Sequence, residues 1–212
     1  SHMFNNGCSV KKLDINNFRT NSVRNMEYIF HYCSSLTSID VSNFDTSQVK
    51  SFSHFFSGCG LLTSLNLTNF KTSKAIDMSF MFYNNIFLKL LDISSFDTYA
   101  VKNMSNLFCD VSSITNITGI DNLNTESVVD MSSMFRGCNL LQNIGVSKFN
   151  TSQVQNMKYM FSECSAVTSL DVSRFDTSQV IDMSFMFQYV SSVTSLEISS
   201  FNTSQVKRMN QM

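Results

Sequence analysis

A fixed period runs the length of the chain and limits what it can fold into. Phe18, Phe44, Phe70, Phe96, Leu123, Phe149, Phe175 and Phe201 are separated by 26, 26, 26, 27, 26, 26 and 26 residues. Two places after each stands a threonine, without exception: Thr20, Thr46, Thr72, Thr98, Thr125, Thr151, Thr177 and Thr203. The stretch FDTSQV at 44–49 returns at 175–180, and FNTSQV stands at 149–154 and 201–206. Self-similarity at such a period predicts a solenoid or a propeller. The expected organisation is one repeat solenoid over 4–212, with units starting at 18, 44, 70, 96, 123, 149, 175 and 201 and one inserted residue near Gly119. Ser1, His2 and Met3 read as a cloning scar.

Within a unit counted from its first residue, position 6 is usually Val, position 9 usually Met, position 12 usually Met, position 13 Phe and position 16 most often Cys. At ~100° per residue these fall in one arc, which predicts an amphipathic helix. Further on the period changes. In VTSLDVS at 167–173, Leu170 and Val172 alternate with Ser169, Asp171 and Ser173, which predicts a short strand with an apolar inner face. One unit buries too little to offset the ordering of its backbone, so stability must come from stacking unit on unit.

The expected fold class is therefore α/β: a right-handed solenoid of about eight coils, like a leucine-rich repeat, with a parallel sheet on the concave side and short helices on the convex side. Strands stack at ~4.8 Å, whereas helices need ~8–10 Å, so the helix side should fan open. The threonine column is expected to be structural, either capping each helix through its hydroxyl or bonding along the stack.

Composition excludes several classes. A net charge of −1 gives no electrostatic footprint for nucleic acid or an anionic membrane. Apolar content of 43% is enough for a core, so the array is not a disordered one. No apolar run is long enough to span a bilayer, so no membrane insertion is expected. Six glycines form no phosphate-binding loop, and His31 and His54 belong to no recoverable catalytic constellation. An enzyme is not expected, nor any cofactor or metal. Cys33 and Cys59 occupy the same position in adjacent units, as do Cys138 and Cys164. If they lie on packed helices, they miss the ~7 Å between Cα atoms that a disulfide needs. Buried thiols acting as small hydrophobes are expected instead.

MSFMF, MFSECSAVTSLDVSRFDTSQV and FDTSQVIDMSFMF resemble the 26-residue bacterial surface-protein repeat, a family related to the BspA-like leucine-rich repeats. The resemblance covers residues 4–212. It implies an extracellular or cell-surface module that adheres to a protein or glycan on a host or neighbouring cell, and it carries no catalytic residues across. The unit around 112–125 departs from the pattern by one residue, and Asn85, Val111 and Val190 replace the usual Cys.

Two surfaces are candidates for such binding. The first is position 11, on the side away from the apolar stripe. It carries Tyr28, His54, Phe80, Asn106, Ser133, Tyr159, Phe185 and Gln211, with Tyr32 and Tyr189 four residues after Tyr28 and Phe185. Such rings either lie across the neighbouring helix or, as an exposed apolar patch, mark a contact surface. The alternative is the polar strand face, with Asp40, Asn66, Leu90, Asp92, Asp171 and Glu197. It lacks the aromatic platforms that sugar binding normally uses, and Asp171 with Glu197 is a thin basis for calcium. A passive spacer that displays another domain is the competing reading. The first and last units keep the apolar columns of internal ones and lack a polar cap, which would permit end-to-end self-association.

Overall fold

The computed structural model describes residues 3–4 and 9–212. Among these residues five short strands follow in order: β1 (Lys12–Leu13), β2 (Ser38–Ile39), β3 (Ser64–Leu65), β4 (Leu90–Asp92) and β5 (Asn116–Thr118). They form a two-stranded sheet, β1-β2, and a three-stranded sheet, β3-β4-β5, all parallel. The register follows the repeat: Lys12 pairs Ser38, Ser64 pairs Leu90, and Leu90 pairs Asn116. The strands fall where the alternating stretch placed them. The inner residues Leu65, Leu91 and Ile117 are buried between exposed neighbours.

A second parallel ladder runs through the segment that the sequence reading made helical. Asn25, Ser51, Asp77, Asn103, Asp130, Asn156, Asp182 and Arg208 are bridged in succession. Beside it, Met26 N–H donates to Ser51 O (3.0 Å), Tyr28 N–H to Ser53 O (3.1 Å), Phe30 N–H to Phe55 O (3.1 Å) and Tyr32 N–H to Ser57 O (2.7 Å). These donors reach the next unit, where an α-helix would send them back to the fourth residue behind. Among the described residues the expected helices are therefore absent. Among the described residues the single helical element is a 3-10 turn at Ile120–Asn122.

The reason lies in two backbone positions per unit. Position 11 is left-handed in every unit, from Tyr28 (φ 59°) to Gln211 (φ 49°), and so is position 15, from Tyr32 (φ 54°) to Tyr189 (φ 59°). A right-handed helix cannot pass through either. Tight turns carry the chain around instead: Val23 N–H to Thr20 O (2.9 Å), Cys33 N–H to Phe30 O (3.1 Å), Leu36 N–H to Cys33 O (3.0 Å) and Phe44 N–H to Val41 O (3.0 Å). With β-type bonding on both sides of the stack, no wide helix layer remains to force one side open. The physical ground for a concave strand side is gone.

The apolar columns nevertheless point inward as expected. Met26, Phe30, Cys33 and their counterparts in later units are buried as far as Met183; towards the end of the chain Phe187 and Val190 are partly buried and Met209 is exposed. Phe4, Phe30, Phe56, Phe82, Phe108, Phe135, Phe161 and Phe187 form one ladder of rings, with centroids 5.5–6.4 Å apart and planes within 23° of parallel. Such offset stacking suits the ring quadrupole. We propose that the chain winds as a solenoid whose units are held by two β-type ladders and this shared core.

The threonines have no helix to cap. From Thr20 to Thr177 each hydroxyl donates across to the following unit, as Thr20 Oγ1 to Asp45 O (3.0 Å), Thr98 to Asn124 O (2.8 Å), Thr125 to Asn150 O (2.9 Å) and Thr177 to Asn202 O (3.0 Å). Thr46 and Thr72 also accept, from Lys71 N–H (2.7 Å) and Asp97 N–H (2.8 Å). Thr203, in the last unit, is exposed. The five described cysteines are buried thiols, and Cys8 lies outside the described residues. The helical spacing argument for them does not apply here. The four at position 16 direct their sulfurs at carbonyls of the phenylalanine ladder: Cys33 Sγ donates to Phe4 O (3.4 Å), Cys59 to Phe30 O (3.0 Å), Cys138 to Phe108 O (3.2 Å) and Cys164 to Phe135 O (3.0 Å).

Candidate functional site

The position-11 column is built on a backbone that its side chains do not favour. Left-handed φ costs a non-glycine residue about 1–2 kcal/mol, and Asn is the type that tolerates it best. Asn106 occupies the column at φ 57°. Tyr28, His54, Phe80, Tyr159 and Phe185 stand in the same geometry with bulky rings. Strain held at a defined place by its surroundings points to a role for the side chain.

Stacking brings these rings together in two groups. Tyr28 and His54 lie 4.4 Å apart at 17°, and His54 and Phe80 lie 4.4 Å apart at 12°. His31 meets Tyr28 edge-on at 5.1 Å and His54 at 5.3 Å, and Tyr32 packs against His31 at 4.5 Å. Tyr32 lies over Gly58, where a Cβ would come within 2.7 Å of its ring; the glycine opens the space for it. Tyr83 adds an edge contact to Phe80 at 5.6 Å. The second group is Tyr159 with Phe185, 4.6 Å apart at 8°. Arg136 and Lys158 set their cationic ends 5.3 and 5.1 Å from the Tyr159 centroid, within cation–π range. Glu163 holds the Arg136 guanidinium at 3.1 Å. Asn106 and Ser133 separate the two groups.

The five rings of the column are half-buried, while Tyr32 and Tyr189 are 41% and 69% exposed. His54 is sandwiched, and its Nδ1 lies 2.9 Å from Ser53 Oγ. Burial, with His31 beside it, pushes its pKa down to about 4, against the opposite pull of Asp77 and Glu27. At neutral pH the column is an uncharged aromatic strip at one end and a cation-flanked pair of rings at the other.

The strand face is less concentrated. Asp40, Asn66, Asp92, Asp171 and Glu197 are exposed, and each accepts the N–H of the residue two places on: Ser42, Thr68, Ser94, Ser173 and Ser199. The serine hydroxyls and then these N–H groups hold the carboxyls of Asp40, Asp92, Asp171 and Glu197 below their usual range. These are turn-forming contacts. Leu90, on β4, is 64% exposed. No group of three or more His, Cys, Asp or Glu side chains that could hold a metal is gathered among the described residues.

Sequence reasoning found the rings but missed their companions. His31 and Arg136 sit at position 14, Tyr83 likewise, Glu163 at position 15 and Lys158 at position 10. A helical reading also puts positions 11, 14 and 15 on one side of the cylinder, so most of these companions were within its reach. The variability of positions 14 and 15 against otherwise uniform columns was the available signal.

A family model described as Mycoplasma protein of unknown function, DUF285, matches residues 1–118 and again 111–212. The chain belongs to this family. It is thus a member of a bacterial repeat family along its whole length, and the two matches overlap beside the inserted residue near Gly119. Neither the curated proteins nor the solved structures give a match.

Proposed function

We propose that this DUF285 chain is a non-catalytic, surface-exposed or secreted binding module that adheres to a protein or glycan on a host or neighbouring cell. The finer kinship we propose is with the 26-residue bacterial surface-protein repeats. The single observation that carries the reading is the set of bulky rings held in left-handed backbone along position 11 and stacked in two groups. A scaffold needs only Asn or Gly there, as Asn106 illustrates. Rings in those positions offer rigid, partly exposed contact area of the kind that dominates binding energy at interfaces.

The test uses Tyr28→Asn, Phe80→Asn and Phe185→Asn together. Asn accepts the backbone, so folding should be kept while the strip is removed. Labelled protein is applied to immobilised extracellular-matrix proteins and to intact cells, with bound signal read against the triple variant. Retention of wild-type protein, reduced at least tenfold in the variant, is the expected result. Equal retention of both, or retention of neither, rejects the reading. It would favour the passive spacer, with which the unbroken phenylalanine ladder and threonine column are equally consistent.

A further inference from the structure

The departures from the repeat gather at one place on the strand face. The spacing of 27 falls between Phe96 and Leu123. The extra residue is taken up at Gly119 (φ 85°) and the 3-10 turn Ile120–Asn122. Among the described residues no strand pairing joins β5 to the unit beyond, as none joins β2 to β3, and Asn143 of that unit pairs onward with Ser169. The ladder on the other side of the stack continues here, Asn103 to Asp130. In the outward polar column, the position held by Asp40, Asn66, Asp92 and Asp171 in other units is Gly145.

A depression of about 570 Å³ lies over this glycine, lined by side chains of three consecutive units. That is a volume in the range of small-molecule sites. Its rim presents Asn116 and Thr118 from β5, Asn143, and Ser169 and Asp171 from the unit beyond. One wall is the 3-10 turn, fixed by the Asp121–Lys148 pair at 3.2 Å.

We infer that the depression over Gly145 binds a short neutral oligosaccharide through these amide, hydroxyl and carboxylate side chains. No aromatic ring lines the depression, so recognition rests on hydrogen bonds alone. Amides and carboxylates beside hydroxyls offer paired donors and acceptors, which match the vicinal hydroxyls of a sugar. The Lys148 charge is taken by Asp121 and Asp171 adds a negative one, so an anionic ligand is disfavoured. An extended peptide would need a row of open backbone groups. On the side of the depression, Gly145 N–H is turned back to Asn143 Oδ1 (3.0 Å), which removes one of the few groups an added strand could use. The site does not depend on the aromatic column, and either reading can fail alone.

The test follows backbone amide signals of the whole chain by NMR during titration with cellotriose, maltotriose and triacetylchitotriose, each to about 10 mM. A pentapeptide of alternating Thr and Val and a heparin trisaccharide run in parallel. Two variants are compared. Gly145→Asn fills the depression with a residue that tolerates its backbone. Asn116→Ala removes an exposed amide and leaves the strand in place. The expected result is saturable shifts at 116–118, 143–146 and 169–171 with at least one neutral trisaccharide. Both variants should weaken them about tenfold or more. No shift with any of the three, shifts with the peptide or heparin fragment alone, or shifts unchanged in both variants would each overturn the inference.

Discussion

Replacing Thr72 by Val separates the role of its hydroxyl from that of its volume. The side chain is 1% exposed. Its Oγ1 donates to Asp97 O at 2.8 Å and accepts from Asp97 N–H at 2.8 Å, so one atom satisfies both backbone groups of a residue in the next unit. Valine keeps the shape and leaves both groups without a partner. Each such loss costs about 1–3 kcal/mol, so Thr72→Val should lose about 2–6 kcal/mol. Thr72→Ser keeps both bonds and gives up one methyl, about 1 kcal/mol. Thr98→Val removes the donation to Asn124 O (2.8 Å) and should fall between them, at about 1–3 kcal/mol. Urea unfolding followed by circular dichroism reads all three, with midpoints compared at constant slope. A repeat array can unfold in parts, so a changed slope would itself report that the third unit had uncoupled from its neighbours. The reasoning fails if Thr72→Val stays within about 0.5 kcal/mol of the parent, or if Thr72→Ser is as damaging as Thr72→Val.

Two other outcomes are expected. Asn85 stands in the cysteine column, its amide donating to Phe56 O (3.0 Å) and Phe82 O (2.8 Å), while its buried Oδ1 has no partner. Asn85→Cys exchanges that stranded oxygen for a thiol and should be neutral or stabilising by up to about 2 kcal/mol; a thermal midpoint several degrees lower would count against it. His54 is held neutral, with its pKa at about 4 against an unfolded value of 6.5. In the window between those values the unfolded chain binds the extra proton, so stability is full above pH 6.5 and falls as the pH drops to about 4. The shift sets an upper bound near 3 kcal/mol, which half-exposure of the ring reduces to about 1–2 kcal/mol. His54→Asn should flatten the urea midpoint against pH in that window, and an unchanged profile would show that the ring does not titrate as described.

The period, the inward columns and the strand register were all legible in the sequence, because each follows from the identity of residues 26 apart. The helix was not, and the failure has a physical cause. Positions 9, 12, 13 and 16 turned inward satisfy a helical arc equally well when the chain runs as successive tight turns broken by left-handed residues. Hydrophobic spacing reports which side chains are buried and is silent about where the backbone bonds go. The discriminating signal was at position 15, where Gly58, Asn84, Asp110 and Gly137 stand in four consecutive units. Gly, Asn and Asp are the residues that accept positive φ, and all four adopt it. The same correction explains why the aromatic column assembled. On separate helices the rings at position 11 would lie ~8–10 Å apart. On β-bonded units Tyr28, His54 and Phe80 come to 4.4 Å and stack. The backbone that rules out the helix is thus the one that stacks the aromatic residues of position 11 into two groups.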